Sequence, residues 1–221
     1  MEKQQFFITV PILDHNGLYT VNYEYVGFPE RNVGTDNESH FPGVPMLVHN
    51  YDPHKDAEIV FIRTVNTAND NPEVNFNTLK NEIAAIADNE KIRENIREKF
   101  KGNSLIENAK EILVDYDESY ARHLKFLRDL CAVYQEDAEI YMDITYGSKV
   151  TPLVSVSSLI YAENANNCSL RELIYGMAAQ SAKKKIFDVK AMYRMSQALN
   201  LGSFTSGMDL DKLLGSFSAE E

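Results

Sequence analysis

The stretch Asp143-Ile144-Thr145-Tyr146-Gly147-Ser148-Lys149-Val150-Thr151-Pro152 decides the fold of this chain, because it joins an apolar strand to a helix start through a small, polar, cationic turn. Upstream, Ala138 to Ile144 reads as a short strand. Downstream, Thr151 is a capping residue type and Pro152 suits the first helical position. A helix start offers unpaired backbone N–H groups and the positive end of the helix dipole. Gly147 lets the backbone approach a ligand, and Lys149 adds a point charge. The turn is therefore expected to hold a phosphate-sized anion, from a nucleotide or an oligonucleotide.

Outward from this turn, six segments read as strands: Gln5 to Val10, Glu58 to Thr64, Glu111 to Asp115, Glu139 to Thr145, Arg171 to Tyr175 and Lys185 to Val189. Several are near-continuous apolar runs, as expected where both faces of a sheet are covered. Helical patterns separate most of them. Thr78 to Phe100 carries Leu79, Ile83, Ile86, Ile92, Ile96 and Phe100 on one face, and Ser119 to Tyr134 turns Leu124, Leu127, Leu130 and Cys131 inward. Strands alternating with helices predict a Rossmann-like α/β fold, a mostly parallel six-stranded sheet with helices on both faces. Residues 17–54 break the alternation. Leu18 to Val26 alternates like one or two exposed strands, and Pro29, Gly34, Pro42, Gly43, Pro45 and Pro53 punctuate the rest, so a β-hairpin and loop insertion after the first strand is expected. The main domain is expected over residues 1–189. A C-terminal helical extension follows over 190–221, with a helix to Asn200 and a short amphipathic one bearing Leu210, Leu213, Leu214 and Phe217.

Ligands of such sheets sit outside the carboxyl ends of strands. Three loops lie there: Pro11-Ile12-Leu13 through His15 after the first strand, Val65-Asn66-Thr67 through Asn71 after the second, and Thr145 to Thr151 after the fourth. They are expected to converge on one site.

At 221 residues and 44% hydrophobic, the chain can bury one good core and falls short of two full-sized domains. A net charge of -11 opposes sequence-independent grip on DNA or RNA, so an anionic ligand needs a locally built pocket and no DNA partner is expected. Cys131 and Cys168 form no C-x-x-C pair, and the five histidines have no metal-ligand spacing, which argues for a reduced, cytoplasmic protein with neither metal nor cofactor. No secretory signal pattern opens the chain, and no apolar run approaches the roughly 18 residues that span a bilayer. An ordinary dinucleotide or mononucleotide enzyme is disfavoured, since neither G-x-G-x-x-G nor G-x-x-x-x-G-K-[ST] occurs.

The segment Asp143 to Leu153, followed by Val154 to Ala162, resembles the D-[IV]-T-H-G-F-R-x-x-P-L…L-x-Y motif of CARF domains, the ligand-sensing Rossmann-like domains of type III CRISPR ancillary proteins. Leu173-Ile174-Tyr175-Gly176 is similar to the family's I-Y-Y-G, and Phe187-Asp188-Val189 to its D-L-T. The likeness covers about residues 111 to 215. It differs at Tyr146, where the family has His, and at Ser148, where it has Phe. The resemblance implies a homodimer whose two pockets form one cradle for a cyclic oligoadenylate, cyclic tetra-adenylate being favoured. Thr145, Gly147 and Thr151 would line the floor, Lys149 would stand where the family has Arg, and Gly176 would border the site. The signal would pass to a fused or partner effector.

The alternative is a metal-independent ring nuclease. Bending the ring until a ribose 2′-hydroxyl lies in line with its phosphate suffices for cleavage if donors stabilise the developing charge, and Lys149, Ser148 and Thr145 would be those donors. Tyr146 is either a ring that stacks on adenine or a buried aromatic with its hydroxyl satisfied.

Overall fold

Strand β1 (Lys3–Thr9) is buried from Gln4 onward, because a parallel neighbour pairs with it on each side. The computed structural model, which describes residues 2–13, 18–117, 119–177 and 184–202, continues through β2 (Val21–Asn22), β3 (Glu24–Val26), β4 (Glu38–Ser39), α1 (Gly43–Asn50), β5 (Asp56–Val65) and α2 (Asn71–Ala84). Then come α3 (Glu94–Arg97), α4 (Gly102–Glu107), β6 (Lys110–Asp115), α5 (Tyr120–Val133), β7 (Ala138–Asp143), α6 (Thr151–Ala165), β8 (Ser169–Met177), β9 (Lys185–Asp188) and α7 (Lys190–Gly202).

The main sheet runs β3-β9-β8-β7-β1-β5-β6, and every neighbouring pair is parallel except β8 and β9. From β1 the chain moves outward to β5 and β6, then returns to lay β7 on the other side of β1. The strand order therefore reverses between β1 and β7, the switch point at which doubly wound sheets open a crevice. Side-chain alternation divides the interior into two layers. Phe6, Ile8, Ile59 and Phe61 pack with Met46 and Leu47 of α1 and Leu79 and Ile83 of α2. Phe7, Val60, Ile62 and Met142 face the other way, onto Phe126 and Leu130 of α5 and Leu159 of α6. This is a Rossmann-like α/β fold with helices on both faces of a mostly parallel sheet.

Three expectations need correction. The sheet has seven strands, because β3, read as part of an exposed hairpin, pairs with β9 at the edge; the antiparallel pair in this region is β2 with β4. The insertion also contains α1, whose residues Gly43 to Val48 are buried. Its prolines read as loop punctuation, yet Pro42 occupies the N-cap and Pro45 the first turn, where a missing N–H breaks no intrahelical bond. Gly43 belongs there for space, since a Cβ on it would lie 2.6 Å from Ile8 Cγ2. Finally, the helix read over Thr78 to Phe100 begins earlier, at Asn71, and breaks after Ala84 into a 3-10 turn over Ala85–Asp88. Leu79, Ile83, Ile86, Ile92 and Phe100 are buried as their periodicity requires. The backbone turns because the Asn89 side chain accepts the Lys91 N–H at 3.1 Å, an Asx turn in place of another helical turn.

A buried ion pair ties the insertion to the sheet. Arg31 Nη1 lies 2.5 Å from Oε1 of Glu172 on β8, which is 3% exposed, and Asn50 Nδ2 donates to its other oxygen at 2.5 Å. The guanidinium also covers the rings of Tyr25 and Phe28. Among the described residues, no helix is long and apolar enough to cross a membrane. Asp14, His15 and the segment with Leu210 to Phe217 lie outside the described residues.

Candidate functional site

At the switch point, the carboxyl ends of β1, β7 and β8 enclose a cleft of about 360 Å³ lined by Ile12, Leu13, Thr145, Tyr146, Gly147, Tyr175, Gly176 and Met177. The cleft is positioned by one carboxylate. Asp143, the last residue of β7, is fully buried and accepts hydrogen bonds from Thr145 N at 2.9 Å, Thr145 Oγ1 at 2.5 Å and Thr9 Oγ1 at 2.9 Å. Each hydroxyl then accepts a backbone N–H: Thr145 Oγ1 from Gly176 at 2.8 Å, and Thr9 Oγ1 from Tyr146 at 3.1 Å. One acid thus holds the ends of three strands together. Burial pushes the Asp143 carboxyl up to about 6, against the opposing effect of the threonine hydrogen bonds.

Backbone geometry shapes the turn above this network. Gly147 has φ of 115°, and a Cβ on it would meet Thr151 side-chain atoms at 2.6 to 2.8 Å, so both conformation and space require glycine. Gly176 is constrained from the other side, where a Cβ would lie 2.6 Å from Pro42 Cγ and 3.1 Å from Thr145 Oγ1.

The candidate residues divide into three groups. Ile12, Leu13, Thr145, Tyr146, Gly147 and Gly176 line the cleft. Ser148 and exposed Lys149 form the turn at its edge, and Lys149 has no hydrogen-bond or ion-pair partner among the described residues. Pro11 and Thr151 are buried. Thr151 does not cap α6, because Val150 occupies the N-cap; its hydroxyl instead accepts the Ser148 N–H at 3.2 Å. Asn66 and Thr67 do not line this cleft. They follow β5, Asn66 with φ of 58° and Thr67 donating to the Asn69 carbonyl at 2.6 Å.

These positions limit the available chemistry. The Thr145 hydroxyl donates to Asp143 and accepts from Gly176, so its hydrogen is already used. Tyr146 is 7% exposed with its hydroxyl beside that of Tyr23, and burial raises its phenol far above the usual range. The donors in the turn are the Lys149 ammonium and the Ser148 hydroxyl, the latter 3.3 Å from Thr151 Oγ1. Tyr175 and Met177 also line the cleft but were not among the candidates. They follow buried Leu173 on one face of β8, beyond the bulge in its pairing with β7, and their place beside the Gly147 turn follows from that pairing.

A larger cleft of about 510 Å³ separates α2 from the insertion, lined by Thr20, Glu38, His40, Thr78, Asn81, Glu82, Asn89 and Lys91. Its charged groups are largely paired with each other: His40 Nδ1 with Glu82 at 3.0 Å, and Lys91 with Glu38 at 2.7 Å. The switch-point cleft, with the Lys149 ammonium at its edge unpaired among the described residues and three strand ends converging on it, is the better ligand site. In comparisons with known proteins, no family model matches the chain and no curated protein matches it.

Proposed function

We propose that this protein is a cytoplasmic sensor that binds a cyclic oligoadenylate, with cyclic tetra-adenylate the favoured ring, between two copies of the chain and passes the signal to a fused or partner effector. The reading rests on the resemblance of the Asp143 to Leu153 motif and its downstream segments to CARF domains. The observation that carries it is the cleft at the β1/β7 switch point, whose edge is the Gly147-Ser148-Lys149 turn of that motif. Lys149 is exposed and unpaired among the described residues, so its charge is free to meet a phosphate. The net charge of -11 makes such a local cation the more necessary.

Large apolar side chains stand exposed at the cleft: Leu13, Tyr175 and Met177. A second copy placed over the cleft would bury them and complete a two-fold cradle, so that one ring touches both turns. Titration calorimetry with rings of three, four and six adenylates tests the proposal. Saturable binding of one ring per two chains is expected, and a flat titration with all three rings would refute it.

A further inference from the structure

We infer that Tyr175 is the platform on which the cleft takes an adenine base, an assignment that rests on the sensor reading and adds a specificity residue to it. Among the described residues, no charged side chain lines the switch-point cleft. A nucleotide would therefore place its base inside and its phosphate at the Ser148–Lys149 edge. Two tyrosines line the cleft. Tyr146 is 7% exposed and its hydroxyl is engaged with Tyr23, so its ring is committed to the core. Tyr175 is 46% exposed, and its hydroxyl has no partner among the described residues.

The ring of Tyr175 stands between two hollows. On one side is the cleft; on the other is an apolar groove lined by Ile144, Val156, Leu173, Val189 and Met192. Rigid strand backbone holds it, since β8 pairs with β7 on one side and with β9 on the other, where Tyr175 lies opposite Phe187. Across the cleft, Leu13 is 49% exposed. Both side chains line the same cleft of about 360 Å³, into which a planar base would enter between them. Stacking on an aromatic ring tolerates any base, so selection of adenine would come from polar groups at its edge and not from the ring.

The chain contains no tryptophan, so Tyr175→Trp introduces a single reporter at this position. Its emission is expected to be quenched saturably by cyclic tetra-adenylate, more weakly by adenosine 5′-monophosphate, and not by ribose 5-phosphate. In parallel calorimetry, Tyr175→Phe should keep ring affinity within about threefold. Tyr175→Leu should weaken it about tenfold to a hundredfold, with dimer mass and urea midpoint unchanged. Wild-type affinity in Tyr175→Leu, or equal quenching by ribose 5-phosphate, would overturn the platform while leaving the sensor reading standing. A loss in Tyr175→Leu that tracks loss of the dimer would also overturn it, assigning Tyr175 to the subunit contact. Quenching by adenosine 5′-monophosphate in a protein that binds no ring would retain the platform and remove the sensor reading.

Discussion

Asp143 concentrates the chemistry of the site in one residue. A buried carboxylate is tolerated there because it accepts three hydrogen bonds, two from hydroxyls that themselves accept backbone N–H groups. Its folded-state value of about 6 stands above the ordinary 3.8, so between those limits the folded protein holds a proton that the unfolded chain has released. This contribution favours folding at low pH and is lost as pH rises through about 6. The stability advantage of wild type over Asp143→Asn is therefore expected to shrink by on the order of 2–3 kcal/mol between about pH 4 and 6.5, measured by urea unfolding. Gly147 makes a second test at this scale. Ala at φ of 115° with Thr151 atoms at 2.6 to 2.8 Å should destabilise the domain by roughly 1–2 kcal/mol or more, also read from the urea midpoint.

At the scale of elements, the Arg31–Glu172 pair carries the most testable energetics. Arg31→Ala leaves the Glu172 carboxylate buried, with Asn50 still donating to it but no counter-charge, and is expected to cost about 3–5 kcal/mol. Arg31→Met combined with Glu172→Gln should recover much of that loss, and a double-mutant cycle by urea unfolding measures the coupling. The same region marks where the sequence became hard to read. Strands β1, β5 and β7 announce themselves by apolar runs, and the Gly147 turn by its residue types. Helix α1 does not, because Pro42, Gly43 and Pro45 have a loop's composition and only the close approach to Ile8 explains the glycine. Strand β3 looked exposed because its pairing with β9 joins residues more than 150 positions apart, a contact that local alternation does not encode. At the site, the motif located the turn, but the burial of Thr151 and the use of the Thr145 hydroxyl depend on how the strand ends meet. Tyr175 was missed for the same reason: its exposure beside the cleft is set by the β8 register.

For the whole molecule, acid stability balances opposed groups. His49 on α1 is half-buried and edge-on to Tyr25; desolvation and the nearby Arg31 charge lower it from 6.5 to about 4, and its Nε2 lies 2.6 Å from Asn37 Oδ1. Here the unfolded chain takes the proton first, so stability is lost as pH falls from about 6.5 to 4. The advantage of wild type over His49→Gln should thus grow by on the order of 2–3 kcal/mol from pH 4 to 6.5, opposite in sign to Asp143→Asn. Glu139 and Glu163 are held below the usual carboxylate range, each against burial: Lys55 and Arg171 pair with the first, and Arg194 and Tyr193 with the second. Their contributions are lost only below about 4.5.

The proposed ligand acts at this same scale, because one ring would join two chains. Lys149→Glu reverses the charge at an exposed position, so stability should stay within about 0.5 kcal/mol while ring affinity falls at least thirtyfold. Incubating labelled ring with the protein and following its integrity tests the ring-nuclease alternative: recovery of intact ring after hours removes it. The most direct measurement of the central claim is calorimetric titration of the wild-type chain with cyclic tetra-adenylate. The expected result is saturation at one ring per two chains, abolished in Lys149→Glu. Saturation at one ring per chain, or undiminished binding by Lys149→Glu, would contradict a phosphate site shared by two Gly147-Ser148-Lys149 turns.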